Sequence, residues 1–254
     1  MSKAQDNPKW LFIHIMKTAG TSFRTLLEES LGTGVYPTRS ELDQLPKEWY
    51  PKAARLLELI EQGHLDLADR HVLCGHYSPS LAKQLPGTWR IACFLREPLQ
   101  RSISMISHRL RYQPMRPRSL MDRITGNRVD RLLQDKTFLE RQITNYQTKI
   151  LAAPALRDVN RAQVVNQKSF SQAMRALERM DFIGLSERFG ESVQVFEDIS
   201  GITLKRQTLR ANPGTRIHLN EAQTERIRSL IQYDLRLYQE ATAHINSHTP
   251  DTAE

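Results

Sequence analysis

The chain has only two cysteines in 254 residues, Cys74 and Cys93. It has no CxxC pair and no His/Cys cluster, which argues against a disulfide framework and against a zinc site. Each cysteine lies in a short apolar run and reads as a buried thiol. Long apolar runs are missing too: Trp10–Met16 and Ile91–Leu95 are far too short to cross a bilayer. The N-terminal stretch MSKAQDNPKW has no signal-like apolar region, position two is not glycine, and no prenylation box ends the chain. The expectation is a cytoplasmic protein without a membrane span. Glycine (11) and proline (12) are too sparse for a collagen-like or low-complexity chain.

What is present is an ordinary globular composition, 39% hydrophobic and 25% charged, with a net charge of +8. The length suits one domain over residues 1–254 with polar tails at 1–9 and 245–254. The positive excess is uneven. From Arg101 to Arg131 eight arginines face only Asp122 and Asp130, a local balance of +6. Such a stretch fits either a solvated face or an anionic partner. Tyr112 is its only aromatic, which argues against a nucleic-acid module that stacks bases.

Strand-like and helix-like segments alternate. Trp10–Met16 reads as a buried strand, and a helix from Thr21 presents Phe23, Leu26, Leu27 and Leu31 on one face until Gly32 and Gly34 end it. Residues 41–62 read as helical. His71–Gly75 and Trp89–Leu95 read as strands two and three, and a helix opens at Pro98. Gln113–Ser119 reads as a loop, 120–152 as helical with irregular patterning, and Phe182–Leu185 as a fourth strand. Ser186 is placed to cap the next helix, whose face is Phe189, Val193, Phe196 and Ile199. A last helix starts near Asn220 with Gln223 in capping-box position, its face running through Leu235 and Tyr238, and His244 onward reads as a frayed tail. This order predicts a three-layer α/β fold, a central parallel sheet flanked by helices. Ligands of such sheets bind beyond the carboxyl ends of the strands.

Two of those ends carry suitable chemistry. After strand one, Lys17-Thr18-Ala19-Gly20-Thr21-Ser22 leads into a helix N-terminus, whose unpaired N–H groups and positive dipole suit a phosphate. Gly20 permits close backbone approach, Lys17 adds a point charge, and Thr21 and Ser22 add hydroxyls. The Walker order GxxxxGK[ST] is absent, since Lys17 precedes the glycine, which disfavours an ordinary triphosphate site. After strand three, Arg96 stands at the strand end and Ser104 about two helical turns beyond Pro98, placed to share a second phosphate. His76, just after strand two, is the best candidate base, because an imidazole ordinarily titrates near neutral pH. His14 and His71 read as structural.

Phe12–Ser22 (FIHIMKTAGTS) resembles the 5′-phosphosulfate loop of sulfotransferases that use 3′-phosphoadenosine-5′-phosphosulfate (PAPS), which usually reads HIPKTGGTS in the carbohydrate branch. Leu95–Ser104 (LREPLQRSIS) resembles that family's 3′-phosphate motif, and Gly75-His76 its glycine–histidine in the uronyl 2-O-sulfotransferase branch. Asn145–Lys149, Ile183–Glu187 and Asp234–Tyr238 resemble weaker landmarks, so the likeness runs from about residue 10 to residue 240. It departs at Met16, where proline is usual, and at Ala19, where glycine is usual. The resemblance implies a P-loop-like nucleotide-binding fold and sulfuryl transfer from PAPS, without a metal, to a hydroxyl of a carbohydrate or other small acceptor, which could be an anionic glycan. It implies that Lys17, Thr18, Ala19, Gly20, Thr21 and Ser22 bind the donor, with the N–H groups of Thr18–Ser22 on the 5′-phosphate and Lys17 near the bridging oxygen, that Arg96 and Ser104 hold the 3′-phosphate, and that Lys17 and His76 are catalytic. Asn212 and Thr215 resemble a late segment covering the cofactor. The alternative is a P-loop-type phosphotransferase, kinase-like, which would need a magnesium-binding carboxylate after a strand. The sequence does not fix the oligomeric state.

Overall fold

The computed structural model describes residues 8–44, 52–112, 128–155, 164–205 and 217–248. Five parallel strands form one sheet: β1 (Lys9–Ile13), β2 (Val35–Tyr36), β3 (Val72–Gly75), β4 (Trp89–Leu95) and β5 (Phe182–Leu185), in the order β2-β3-β1-β4-β5. The central strand β1 is apolar on both faces because both are covered. Trp10 and Phe12 pack with Phe23, Leu26 and Leu27 of helix α1 (Gly20–Leu31), while Leu11 and Ile13 belong to a second cluster across the sheet. That alternation is the period of two of an extended strand. The first layer is aromatic: Phe23 lies 4.9 Å from Phe12 and from Phe196, and 5.0 Å from Phe94.

Helices α2 (Arg39–Gln44) and α3 (Ala53–Glu61) follow β2. After β4 come α4 (Pro98–Tyr112), α5 (Arg128–Gln134), a turn at Lys136–Phe138 running into a π-helical segment at Leu139–Ile143, α6 (Tyr146–Ala152) and α7 (Gln167–Leu177). After β5 come α8 (Phe189–Ser200), α9 (Glu221–Leu230) and α10 (Gln232–His248). A third apolar cluster joins α4, α5, the π segment and α9 through Ile106, Leu132, Ile143 and Ile227. Among the described residues no helix is long and apolar enough to cross a membrane.

Several expectations change. The sheet has five strands, not four; β2 is two residues long, too short to show a period. Strand β1 ends at Ile13, because the Ile15 N–H turns back to the Ile13 carbonyl (3.0 Å), so His14 lies beyond the strand. The segment 41–62 yields two helices, α2 and α3, and residues 45–51 between them lie outside the described residues. Residues 113–127 lie outside them as well, with the proposed loop and Arg116, Arg118 and Arg123. The described part of 120–152 is four short pieces: Asp135, in an extended conformation, separates the first two, and Asn145 in the left-handed region (φ 43°) separates the last two. Helix α7 was not foreseen. Ser186 opens a short 3₁₀ turn and caps nothing; its buried hydroxyl has no partner among the described residues. Ile199 is exposed, and Ser200 takes its place on the buried face of α8. The last helix breaks at Ile231, and α10 then runs through His244 to His248. Asn220 and Gln223 do form the capping box. Cys74 and Cys93 are fully buried free thiols, each pushed up to about 12 by burial.

Two buried cations have a structural cause. Lys149 donates to the carbonyls of Glu140 (3.2 Å) and Arg141 (2.7 Å), and Arg101 to that of Gln142 (2.6 Å). Three successive carbonyls of the π segment thus take positive charge, as a helix C-terminus favours. Both cations also lie over the Tyr146 ring, at 4.8 and 4.7 Å from its centre.

Candidate functional site

The register aligns the ends of the three middle strands. Ile13 pairs with Gly75 on one side and with Cys93 on the other. The residues following β3, β1 and β4 therefore form one edge, with His76, the Lys17 loop and Arg96 side by side in that order. The chain leaves β1 toward β2 on one side and leaves β4 toward β5 on the other. The two loops diverge at the β1–β4 boundary, which is where open α/β sheets form their ligand crevice.

The loop after β1 is tightly wound. Lys17 (φ 70°) and Ala19 (φ 65°) both occupy the left-handed region, a conformation that costs a non-glycine residue on the order of 1 kcal/mol. The Thr18 hydroxyl is buried and donates to the Ile15 carbonyl (2.9 Å), so it closes the loop from inside. The first bond of α1 runs from Phe23 N–H to the Ala19 carbonyl (3.1 Å). The N–H groups of Ala19, Gly20, Thr21 and Ser22 precede that ladder. No side chain caps this end among the described residues, and its first turn holds no acid. Thr21 is exposed and Ser22 half-buried. Gly20 also meets a packing constraint: a Cβ there would lie 2.2 Å from Cδ2 of His14, whose ring fills that space.

Arg96 reaches this loop. Its Nη1 donates to the Lys17 carbonyl (3.3 Å), and its Nε lies 4.0 Å from Oε1 of Glu187. Glu97 is occupied elsewhere. Its carboxylate accepts from the N–H groups of Leu99 (3.1 Å) and Gln100 (2.7 Å), capping α4. Glu187 is itself held by the Glu97 N–H (3.0 Å) and by the Tyr238 hydroxyl (3.0 Å). Burial and the Glu187 charge push the Tyr238 phenol up to about 12, so it remains a donor. Ser104 sits half-buried on α4, one turn beyond the fully buried Arg101.

The edge is electropositive. Burial, and then the charges of Arg96, Arg111 and Arg101, lower the Lys17 ammonium below its usual range. Burial, then Lys17 and Arg111, likewise lowers His108 on α4. Repulsion of this kind is relieved when an anion enters.

His76 lies across β1 from Arg96. Its Nδ1 is 2.6 Å from the His14 carbonyl, an acceptor only, so Nδ1 carries a proton and donates it there. The His14 and His76 rings stack at 5.0 Å. Burial, then His76, Arg24 and Lys17, holds His14 neutral, well below its usual range.

The structure thus brings together Lys17, Thr18, Ala19, Gly20, Thr21, Ser22 and Arg96, with His76 alongside; Ser104 lies farther along α4. Asn212 and Thr215 fall outside the described residues. Sequence reasoning gave no role to Gln147, Glu187 or Tyr238, which fix Arg96 and its carboxylate neighbour from 51 or more residues away. The landmark segments were their only signal. No protein-family model matches the chain, and no curated protein matches it.

Proposed function

We propose that this chain is a sulfotransferase that moves the sulfuryl group of PAPS to a hydroxyl of a carbohydrate or other small acceptor, on a P-loop-like nucleotide-binding fold. The observation that carries the reading is the approach of the Arg96 guanidinium to the Lys17 loop at an uncapped helix N-terminus. Two anion grips at one crevice suit a nucleotide with two separate phosphate positions. The N–H groups ahead of α1 and Lys17 suit the 5′ group, and Arg96 suits the 3′-phosphate that ATP lacks.

The bound donor supplies an activated sulfuryl group; the chain supplies position and charge, as in phosphoryl transfer. His76 takes the acceptor proton on Nε2. The acceptor oxygen bonds to sulfur as the bond from sulfur to the 5′-phosphate oxygen breaks. Lys17 offsets the negative charge left on that oxygen, and adenosine 3′,5′-bisphosphate departs.

Thermal-shift titration separates this reading from a phosphotransferase. Adenosine 3′,5′-bisphosphate stabilises the chain more than ATP with magnesium does, because only the first presents a 3′-phosphate. A larger shift with ATP and magnesium contradicts the reading. A radiolabelled sulfate donor with a panel of carbohydrate and phenolic acceptors then identifies the product.

A further inference from the structure

The hydrogen bonds around Arg96 extend beyond its guanidinium. Gln147, the second residue of α6, is fully buried, and its side-chain amide pairs with the Arg96 backbone in both directions. Its Oε1 accepts the Arg96 N–H (3.0 Å) and its Nε2 donates to the Arg96 carbonyl (2.9 Å). A strand end normally leaves these two groups to water or to a neighbouring strand. Here one side chain from a helix 51 residues away satisfies both.

Gln147 is itself fixed from below. Its N–H donates to Oδ2 of Asp234 (3.1 Å), while Oδ1 of the same carboxylate takes the N–H and the hydroxyl of Thr148, both at 2.8 Å. Asn145, in its left-handed conformation, accepts the Tyr233 N–H (2.9 Å) and the Asp234 N–H (3.3 Å) on Oδ1. Asp234 is fully buried, and Arg101 is the cation that offsets its charge. The start of α6 and the start of α10 are therefore locked together, and the amide of Gln147 carries that rigidity to residue 96.

We infer that Gln147 is the positioning residue for the 3′-phosphate arginine: by clamping the Arg96 backbone it aims the guanidinium at the Lys17 loop. The inference rests on the nucleotide reading above and adds to it a residue that touches no nucleotide. A backbone clamp sets direction, so its loss lowers recognition of the 3′-phosphate selectively and leaves the 5′ site intact.

The test is calorimetric titration of the full chain with adenosine 3′,5′-bisphosphate and with adenosine 5′-monophosphate. The wild type prefers the bisphosphate. In Gln147→Leu that preference falls about tenfold, as expected when a misaimed guanidinium loses a charged hydrogen bond to the 3′-phosphate, and monophosphate affinity stays within about twofold. Combined with Arg96→Ala, Gln147→Leu changes bisphosphate affinity by less than about twofold, since the two residues act through one contact. Gln147→Glu provides a rescue and a second route if the leucine variant does not fold. A protonated carboxyl can both accept and donate as the amide does, whereas the ionised form loses the donor. Its preference, relative to the wild type at the same pH, is therefore higher at pH 5.5 than at pH 8. An unchanged preference in folded Gln147→Leu, an equal loss for both nucleotides, a full effect on top of Arg96→Ala, or a pH-independent Gln147→Glu overturns the inference. A wild type without any preference overturns the nucleotide reading itself and the inference with it.

Discussion

Helices α1 and α9 meet the same requirement in opposite ways. Each begins with N–H groups that the helix cannot satisfy. At α9 the Asn220 side chain accepts from Gln223 N–H (2.8 Å) and the Gln223 side chain accepts from Asn220 N–H (3.1 Å), so the end is closed by its own residues. At α1 the position equivalent to Asn220 is Ala19, which has no capping atom and sits at positive φ. One start is made for stability. The other leaves donors open, beside Lys17 and Arg96, where an anion can complete them. Poor local choices at a loop can thus be the mark of a site, because they are what a bound anion would compensate.

The largest effect sharpens the functional side of this contrast. His76→Ala lowers transfer by ~10²–10⁴-fold with nucleotide binding retained. Lys17→Ala lowers transfer at least as far and also weakens binding, whereas Asn220→Ala leaves both unchanged. Turnover assays beside calorimetry check all three; near-normal turnover in His76→Ala removes the base assignment.

The stability side gives smaller effects. Asn220→Ala costs about 1 kcal/mol, within a range of roughly 0.5–2, in urea unfolding. Ala19→Gly works in the other direction. It relieves the left-handed conformation and stabilises the chain by about 1 kcal/mol, a rise of about 2–4 °C in Tm. A destabilised Ala19→Gly contradicts the strain described for the loop.

A further effect on stability is in pH. His14 is neutral when buried, held below 6.5 by desolvation and by the charges of His76, Arg24 and Lys17. The unfolded chain takes up that proton near pH 6.5, so it binds more protons than the folded chain just below that pH. Stability therefore falls as pH drops below about 6.5, and His14→Gln flattens the slope. Urea midpoints at pH 7.5 and 5.5 measure it; an unchanged slope in the variant contradicts it.

Much of this arrangement was legible in the sequence, for identifiable reasons. Trp89–Leu95 is continuous and apolar, Pro98 marks a helix start, and the Asn220–Gln223 spacing spells its own cap. The loop at 17–22 stands out in the sequence because lysine, glycine and hydroxyls cluster between a strand and a helix. Other features depend on partners remote in the chain. Two residues at 35–36 become a strand only beside Val72 and Leu73. Helix α8 starts without Ser186, whose hydroxyl is buried, and the π turn at 139–143 exists with Lys149 and Arg101 on its carbonyls. A further constraint on Gly20 depends on the fold for the same cause, since only the fold reveals the His14 ring against it. Gln147 and Glu187 meet Arg96 across 51 and 91 residues, a relation that no local spacing displays.

In the proposed function, Arg96 and the Lys17 loop together recognise an adenosine nucleotide phosphorylated on both the 3′ and 5′ positions. Titration of the wild type and of Arg96→Ala with adenosine 3′,5′-bisphosphate and adenosine 5′-monophosphate tests it most directly. The expected result is a loss of about 10–100-fold for the bisphosphate in the variant, with monophosphate affinity nearly unchanged. Equal losses for the two nucleotides, or none for either, would contradict it.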